Sequence, residues 1–367
     1  MTPAYATPSQ PHRITDLFGT DVPVVLGPFG GVSSVELTAA VSDGGGLGSY
    51  GLYGYGADAI RNTAAELKRA TAKPFALNLW VPTGDEITEL PQKDFNNYVE
   101  TLRPYFDEVG LPVPAMPDRY LPDYEEQVEA TLEASPAVVS FVFGVPAPEL
   151  IDEAHRRGIV VVGTATTVAE AMALEAGGVD AVVASGMESG GHRVSFLKPA
   201  EESLIGTFAL VPQVRDAVGI PVIAAGGIAD RRGYAAALAL GADAVQVGSA
   251  FLATRESAAV PAYRAMLHSP AAAETVLTRV LSGRLARGIP NRIIAELSAA
   301  GAIAPFPAQN WLTGRFRPRA AAQGNTELMS LWAGQAASLI RHDSAADVLA
   351  ELLAGSSIAA EGAPKDR

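Results

Sequence analysis

The chain has 367 residues, 48% of them hydrophobic and 18% charged, with a net charge of −13 and no cysteine. That length and apolar content suffice for a large buried core, as one elaborated domain or two. The negative balance argues against nucleic acid and anionic membrane surfaces as partners, and the lack of cysteine excludes disulfides and thiolate chemistry.

The N-terminal stretch MTPAYATPSQPHRIT lacks the apolar segment of a secretory signal. The longest apolar run, near 137–147, is too short and too interrupted to cross a bilayer. The expectation is therefore a cytoplasmic protein. Residues 1–12 have little to bury and are expected to be disordered. A first strand at 22–27 ends in GPFGG, and Ser33 is the expected N-cap of a helix running through Val41. Asp43-Gly44-Gly45-Gly46 stops that helix. The stretch Gly46–Gly51 matches the dinucleotide fingerprint G-x-G-x-x-G, but it follows a helix and leads into a strand, the reverse of what that motif needs. A helix C-cap followed by a glycine-rich second strand explains it better.

A helix over 58–70 leads to a third strand at 74–79, with Asn78 at its carboxyl end. An amide there carries the donors and the acceptor to bond a flat heterocycle, or serves only a turn. Residues 82–130, with prolines, acidic side chains and two weakly periodic segments, are expected to be an insertion over the active face. The regular rhythm returns with strands at 137–143, 159–163 and 181–184, alternating with helices at 148–157 and 167–176. A strand at 222–225 then ends in Gly226-Gly227. The helix from Asp230 stops at Gly241, and an eighth strand, 244–247, ends in Gly248-Ser249. Strand, helix and parallel strand in this order are the signature of an α/β fold, here a (β/α)8 TIM barrel over 14–257. Residues 258–355 are expected to be a helical extension packing on the barrel. Within it, 330–340 and 346–353 are expected to be closing helices, and the basic run at 279–292 a solvated loop. The last ten residues are expected to fray.

In such barrels the loops after the seventh and eighth strands form the usual phosphate site. The amides of Gly227, Gly248 and Ser249, with the Ser249 hydroxyl, suit a phosphate there; glycines that only shape tight turns are the alternative. Of the five histidines, His12, His155, His268 and His342 fall in the tail, on the surface or at caps. His192 follows Gly190-Gly191 beyond the sixth strand, where a barrel places its chemistry, and an imidazole exchanges protons near neutral pH. It either acts on a ligand or pins its loop. Glu188 in the same loop is positioned to orient a substrate or the imidazole, or faces water. No esterase elbow, metal-ligand signature or Walker A sequence is present. Side-chain chemistry so sparse points to a bound cofactor as the carrier of the reaction.

Five segments together make the chain resemble the nitronate monooxygenase family, formerly 2-nitropropane dioxygenases: VLGPFGGVSSVELTAAVSDGGGLGSYG, PFALNLWVP, SGMESGGHR, VIAAGGIADRRGYAAALALGADAVQVGSAFLATRES and SLWAGQAA. The resemblance, over about 14–340, implies noncovalent FMN. Its phosphate would be held by the Gly226-Gly227 turn and by Gln246, Val247, Gly248 and Ser249. Asn78, Ser185 and Gly190 match positions lining the flavin, and His192 matches the catalytic histidine. Ser185 stands where many members have glutamine, Ser189 where alanine is common and Val194 where glycine is common. Gln335 either closes over the site or packs a helix. The implied reaction is FMN-dependent oxidation of a nitronate or nitroalkane by dioxygen to a carbonyl compound and nitrite. The alternative within flavin barrels is an enoyl-thioester reductase using NAD(P)H. Outside them stand a barrel isomerase holding its substrate's own phosphate and a flavin-binding protein without turnover. A homo-oligomer is left open.

Overall fold

Short runs of Val, Ala and Leu bounded by glycines become the staves of a barrel. In the computed structural model residues 12–356 are described; the tail at 1–11 and residues 357–367 lie outside them. The strands are β1 (Val24–Leu26), β2 (Gly48–Gly51), β3 (Phe75–Trp80), β4 (Val138–Val142), β5 (Val160–Ala165), β6 (Ala181–Ser185), β7 (Gly191–His192), β8 (Val222–Ala225), β9 (Ala244–Val247), β10 (Val276–Thr278) and β11 (Ala286–Gly288). An eight-stranded sheet runs β1-β9-β8-β6-β5-β4-β3-β2, with every pair parallel. It closes through a parallel bridge between Val25 and Leu47, where Leu26 N and Leu47 N each donate over 2.9 Å, to Leu47 O and Val24 O. This is the (β/α)8 barrel expected from the spacing.

The connecting helices begin at well-defined caps. Ser34, not Ser33, caps helix Val35–Asp43 by accepting from Leu37 N; Ser33 instead bonds Phe29 O and accepts from Gly51 N. Thr167 and Glu170 form a capping box at Val168–Ala176, and Asp230 accepts from two amides at the start of Arg231–Ala239. The glycines of the apparent dinucleotide fingerprint serve packing: a Cβ on Gly48 would lie 2.1 Å from Thr38 O in the neighbouring helix. His12, expected in the tail, begins helix His12–Phe18.

Side chains alternate across each strand. Val25, Leu47, Ala76, Val138, Val162, Ala181, Val183, Ile223, Ala225 and Ala244 form one apolar cluster with Ile14 and Phe18, filling the barrel. Their neighbours in sequence, such as Leu77, Val139, Val161 and Val245, belong to the larger cluster shared with the outer helices.

The extension is less helical than expected. It contains helices Pro261–Leu267, Arg292–Ala300, Ala308–Ala322 and Ala345–Leu353, but also β10 and β11, which form an antiparallel three-stranded sheet with β7. The expected solvated loop at 279–292 is this structure: Arg284 and Arg287 are buried. The expected helix at 330–340 is absent. That segment bridges β11 through Gly288 and Trp332 and makes only a 3-10 turn at Ala337–Leu339. The physical reason is a close approach, since a Cβ on Gly190 would lie 2.5 Å from Gly334 N, leaving no room for a helix's girth. In the insertion, helix Gln92–Val109 packs Phe95 and Phe106 into a second apolar cluster with Leu297, Leu312 and Phe316 of the extension. Among the described residues no helix is long and apolar enough to cross a membrane.

Candidate active site

Toward the carboxyl ends of the strands the barrel interior changes from apolar to polar. Two residues beyond Ala76, Val138, Val162, Val183 and Ala244 on the same faces stand Asn78, Ser140, Thr164, Ser185 and Gln246. Asn78 Nδ2 donates to Ser140 O and Oγ over 3.1 and 3.0 Å. Ser185 Oγ lies 3.0 Å from Ser189 Oγ. The side chains of Thr164 and Gln246 bond to no described residue. A polar floor with unused donors and acceptors suits a planar heteroaromatic ring. Ser140 and Thr164 escaped the sequence reading; the available signal was a lone polar residue near the end of an otherwise apolar strand.

Beside this floor are the glycine turns. Gly226 and Gly227 have φ of +102° and +73°, open only to glycine at low cost. A Cβ on Gly226 would lie 2.7 Å from Ser189 Oγ. The amides of Gly227, Gly248 and Ser249 donate to no acceptor among the described residues. Val247 packs its side chain into the outer core while its carbonyl accepts from Gly27 N, so it supports the turn from behind. Ser249 Oγ accepts from Gly334 N over 2.9 Å, which leaves its own hydrogen for an external acceptor. Gly190 lies against Gly334. Gln335 is exposed, with its backbone amide donating to Glu188 O over 2.9 Å.

Glu188 is not bonded to the imidazole and does not stand free in water. Its carboxylate accepts from Thr207 N, over 3.0 and 2.9 Å, and from Thr207 Oγ1, which anchors helix Thr207–Ala217. Arg193 is buried and ties the loop from below, donating to Ser185 O, Gly186 O and Ser203 O.

His192 is held in β7 opposite Ala286 of β11. Its ring centroid lies 5.0 Å from that of Trp80, 5.6 Å from Trp332 and 6.4 Å from Phe143. Nε2 lies 2.9 Å from Ser282 Oγ. The residue as a whole keeps intermediate exposure, but its ring is hemmed in by these aromatics. That burial, with the Arg284 and Arg317 charges behind it, pulls the imidazole down to about 3. His192 is therefore neutral near pH 7. The other histidines stay at the periphery: His155 pairs with Asp180 at 3.0 Å on the surface, His268 caps helix Pro261–Leu267, and His342 lies 3.9 Å from Glu351.

Arg284 donates to Asp85 and Glu86 of the insertion over 2.6 and 2.7 Å, and its guanidinium sits 3.9 Å from the Phe306 ring centroid. Arg317 bonds only neutral oxygens, on Ser330 and Asn310, and makes no ion pair with a described carboxylate. A cavity of about 130 Å³ opens beside Trp80, walled by Tyr53, Leu79, Leu121, Tyr124 and Phe306. Trp80 thus separates the imidazole from an apolar space bounded partly by the insertion. A larger hollow of about 480 Å³, along helix Gln92–Val109, shares no residue with this site.

Residues 11–355 match the family model described as nitronate monooxygenase. The chain is 38% identical over 336 residues to a probable nitronate monooxygenase of Staphylococcus saprophyticus, covering 91% of this chain and 94% of the relative. A probable nitronate monooxygenase of Staphylococcus aureus strain Newman is 36% identical, at coverages of 93% and 96%. Among solved structures, nitroalkane oxidase from Streptomyces ansochromogenes superposes with a TM-score of 0.85 at 37% identity, covering 95% of this chain and 99% of the other. FabK from Thermotoga maritima gives a TM-score of 0.74 at 31% identity, over 95% and 97%.

Proposed function

Because the chain belongs to the nitronate monooxygenase family, we propose that it uses bound FMN to oxidise a nitronate or nitroalkane with dioxygen, giving a carbonyl compound and nitrite. What supports FMN is the fit of the residues present. The three open amides at Gly227, Gly248 and Ser249 offer one cradle for a phosphate monoester, and the polar floor of Asn78, Ser140, Thr164, Ser185 and Gln246 meets a flat heterocycle. When bound, the flavin supplies the electron-transfer chemistry that the side chains lack.

The observation that carries the reading is the electrostatic setting of His192. It is a neutral imidazole at the barrel mouth, with Arg317 nearby and lacking a described carboxylate partner. A positive field of this kind favours an anion, whether the nitronate arrives as such or forms when a nitroalkane loses its carbon-bound proton. The aromatic rings around His192 keep water from the reacting carbon. The cavity beside Trp80 takes the substrate's apolar substituent, so the insertion at 82–130 sets substrate size from one wall.

The reductase alternative has weaker support. FabK from Thermotoga maritima, which stands on the side of that alternative, superposes less well, with a TM-score of 0.74 at 31% identity, against 0.85 and 37% for the nitroalkane oxidase. Oxygen uptake with nitrite release from propyl-2-nitronate, set beside NADPH consumption with an enoyl thioester, separates the two. FMN should be released on heating; FAD, or no flavin from folded protein, would contradict the cofactor assignment.

A further inference from the structure

We infer that Ser282 is a positioning residue that holds His192 as the Nε2–H tautomer and thereby presents an unprotonated Nδ1 to the substrate. Ser282 is buried, and its Oγ lies 2.9 Å from His192 Nε2, 3.0 Å from Arg284 O and 3.2 Å from Arg284 N. The Arg284 amide can only donate to that oxygen, and the carbonyl can only accept from it. A hydroxyl has one hydrogen and two acceptor sites. If the hydrogen goes to Arg284 O, the oxygen accepts from both Arg284 N–H and His192 Nε2–H, and every group is satisfied. If it goes to Nε2, Arg284 O loses the only donor that the described residues provide. Leaving a carbonyl unpaired where water is excluded is costly.

Nδ1 has no partner among the described residues. A neutral ring with its hydrogen on Nε2 offers a lone pair there. This inference rests on the activity proposed above and specifies the step in which the chain itself takes part. The carbon-bound proton of a neutral nitroalkane moves to Nδ1, its bonding pair stays on the substrate as the nitronate, and the ring becomes an imidazolium bonded to Ser282. The anion so formed lies against the new imidazolium, and that opposite-charge contact offsets the cost of protonating a buried imidazole. A preformed nitronate has no proton to give and bypasses the step.

The test uses flavin-loaded protein with ¹⁵N-labelled histidine, His192→Asn identifying the signal. The expected spectrum has a pyrrole-type Nε2 and a pyridine-type Nδ1, and Ser282→Ala shifts it toward a mixture. In the same variant the rate with a neutral nitroalkane should fall about 10–100-fold, the range seen when a partner that orients a metal-bound histidine is lost. The rate with the nitronate should change little, and Ser282→Thr should restore both readouts. A wild-type signal with the hydrogen on Nδ1 overturns the inference without any variant having to fold. So does Ser282→Ala with an unchanged tautomer, or with equal losses on the two substrates. Absence of turnover of either substrate by the wild type would overturn the activity reading instead, whatever the nitrogens show, which separates the two failures.

Discussion

Gly190 and Gly334 meet backbone to backbone: a Cβ on Gly190 would lie 2.5 Å from Gly334 N and 2.6 Å from Ala333 C. Through this contact the extension closes onto the loop that carries His192, and Gly334 N reaches Ser249 Oγ at the proposed phosphate cradle. Gly190→Ala should push the two apart. Overpacking of this kind costs about 1–3 kcal/mol, and it also removes the Ser249 contact. The expected outcome is a lower melting temperature together with substoichiometric flavin, read by absorbance after gel filtration.

The proposed phosphate cradle makes a sharper demand at Ser249. Ser249→Glu places a carboxylate where the FMN phosphate is assigned. Like charges about 4 Å apart repel by roughly 4 kcal/mol at an effective dielectric near 20. The variant should be colourless with an unchanged circular dichroism spectrum. Stoichiometric yellow protein would move the phosphate elsewhere.

The imidazole's depressed pKa has a defined consequence for stability. Burial, then the Arg284 and Arg317 charges, take His192 from its ordinary 6.5 to about 3. As pH falls below 6.5 the unfolded chain binds a proton that the folded chain refuses, so stability is complete above 6.5 and drains away toward 3. The melting temperature of the wild type should therefore fall more steeply than that of His192→Asn between pH 6.5 and 4.5. Parallel curves would mean that the ring titrates normally.

The cavity beside Trp80 predicts a dependence on chain length. Leu121 forms part of its wall, and Leu121→Trp should fill much of about 130 Å³. An apolar space of comparable volume accepts a benzene. KM for a hexyl or phenyl-bearing nitronate should rise about four- to fifteenfold, since one to two lost methylene contacts are worth roughly 0.8 kcal/mol each. KM for ethyl nitronate should stay put, and equal changes for both would show that the substituent lies elsewhere.

The barrel was legible because its strands repeat one local pattern, a short apolar run, often closed by a glycine, that is followed by a helix, and each copy can be read alone. The polar floor was legible only in part. Asn78 stood out, whereas Ser140 and Thr164 gain meaning from neighbours in the sheet that are distant in sequence. Ser282 escaped for the same reason, since it meets His192 across 90 positions. Residues 330–340 have a helical composition, and only the approach of Gly334 to Gly190 explains why they form no α-helix. The basic run at 279–292 looked solvated because of its arginines. Arg287 nonetheless spends its guanidinium on Met187 O and on Thr275, and Arg284 lies over two aromatic rings. Buried cations that bond carbonyls, hydroxyls and ring faces look like surface cations in a sequence.

The most direct test of the account compares His192→Asn with wild type on a neutral nitroalkane and on its preformed nitronate, following flavin bleaching without air. With the nitroalkane, loss of the proton-accepting ring should cost about 10²–10⁴-fold. With the nitronate the loss should be much smaller, and flavin content should be unchanged because the phosphate contacts are assigned to the Gly227 and Gly248-Ser249 turns. Equal losses on the two substrates, or no loss on either, would contradict the assignment of His192 as the side chain on which substrate chemistry depends.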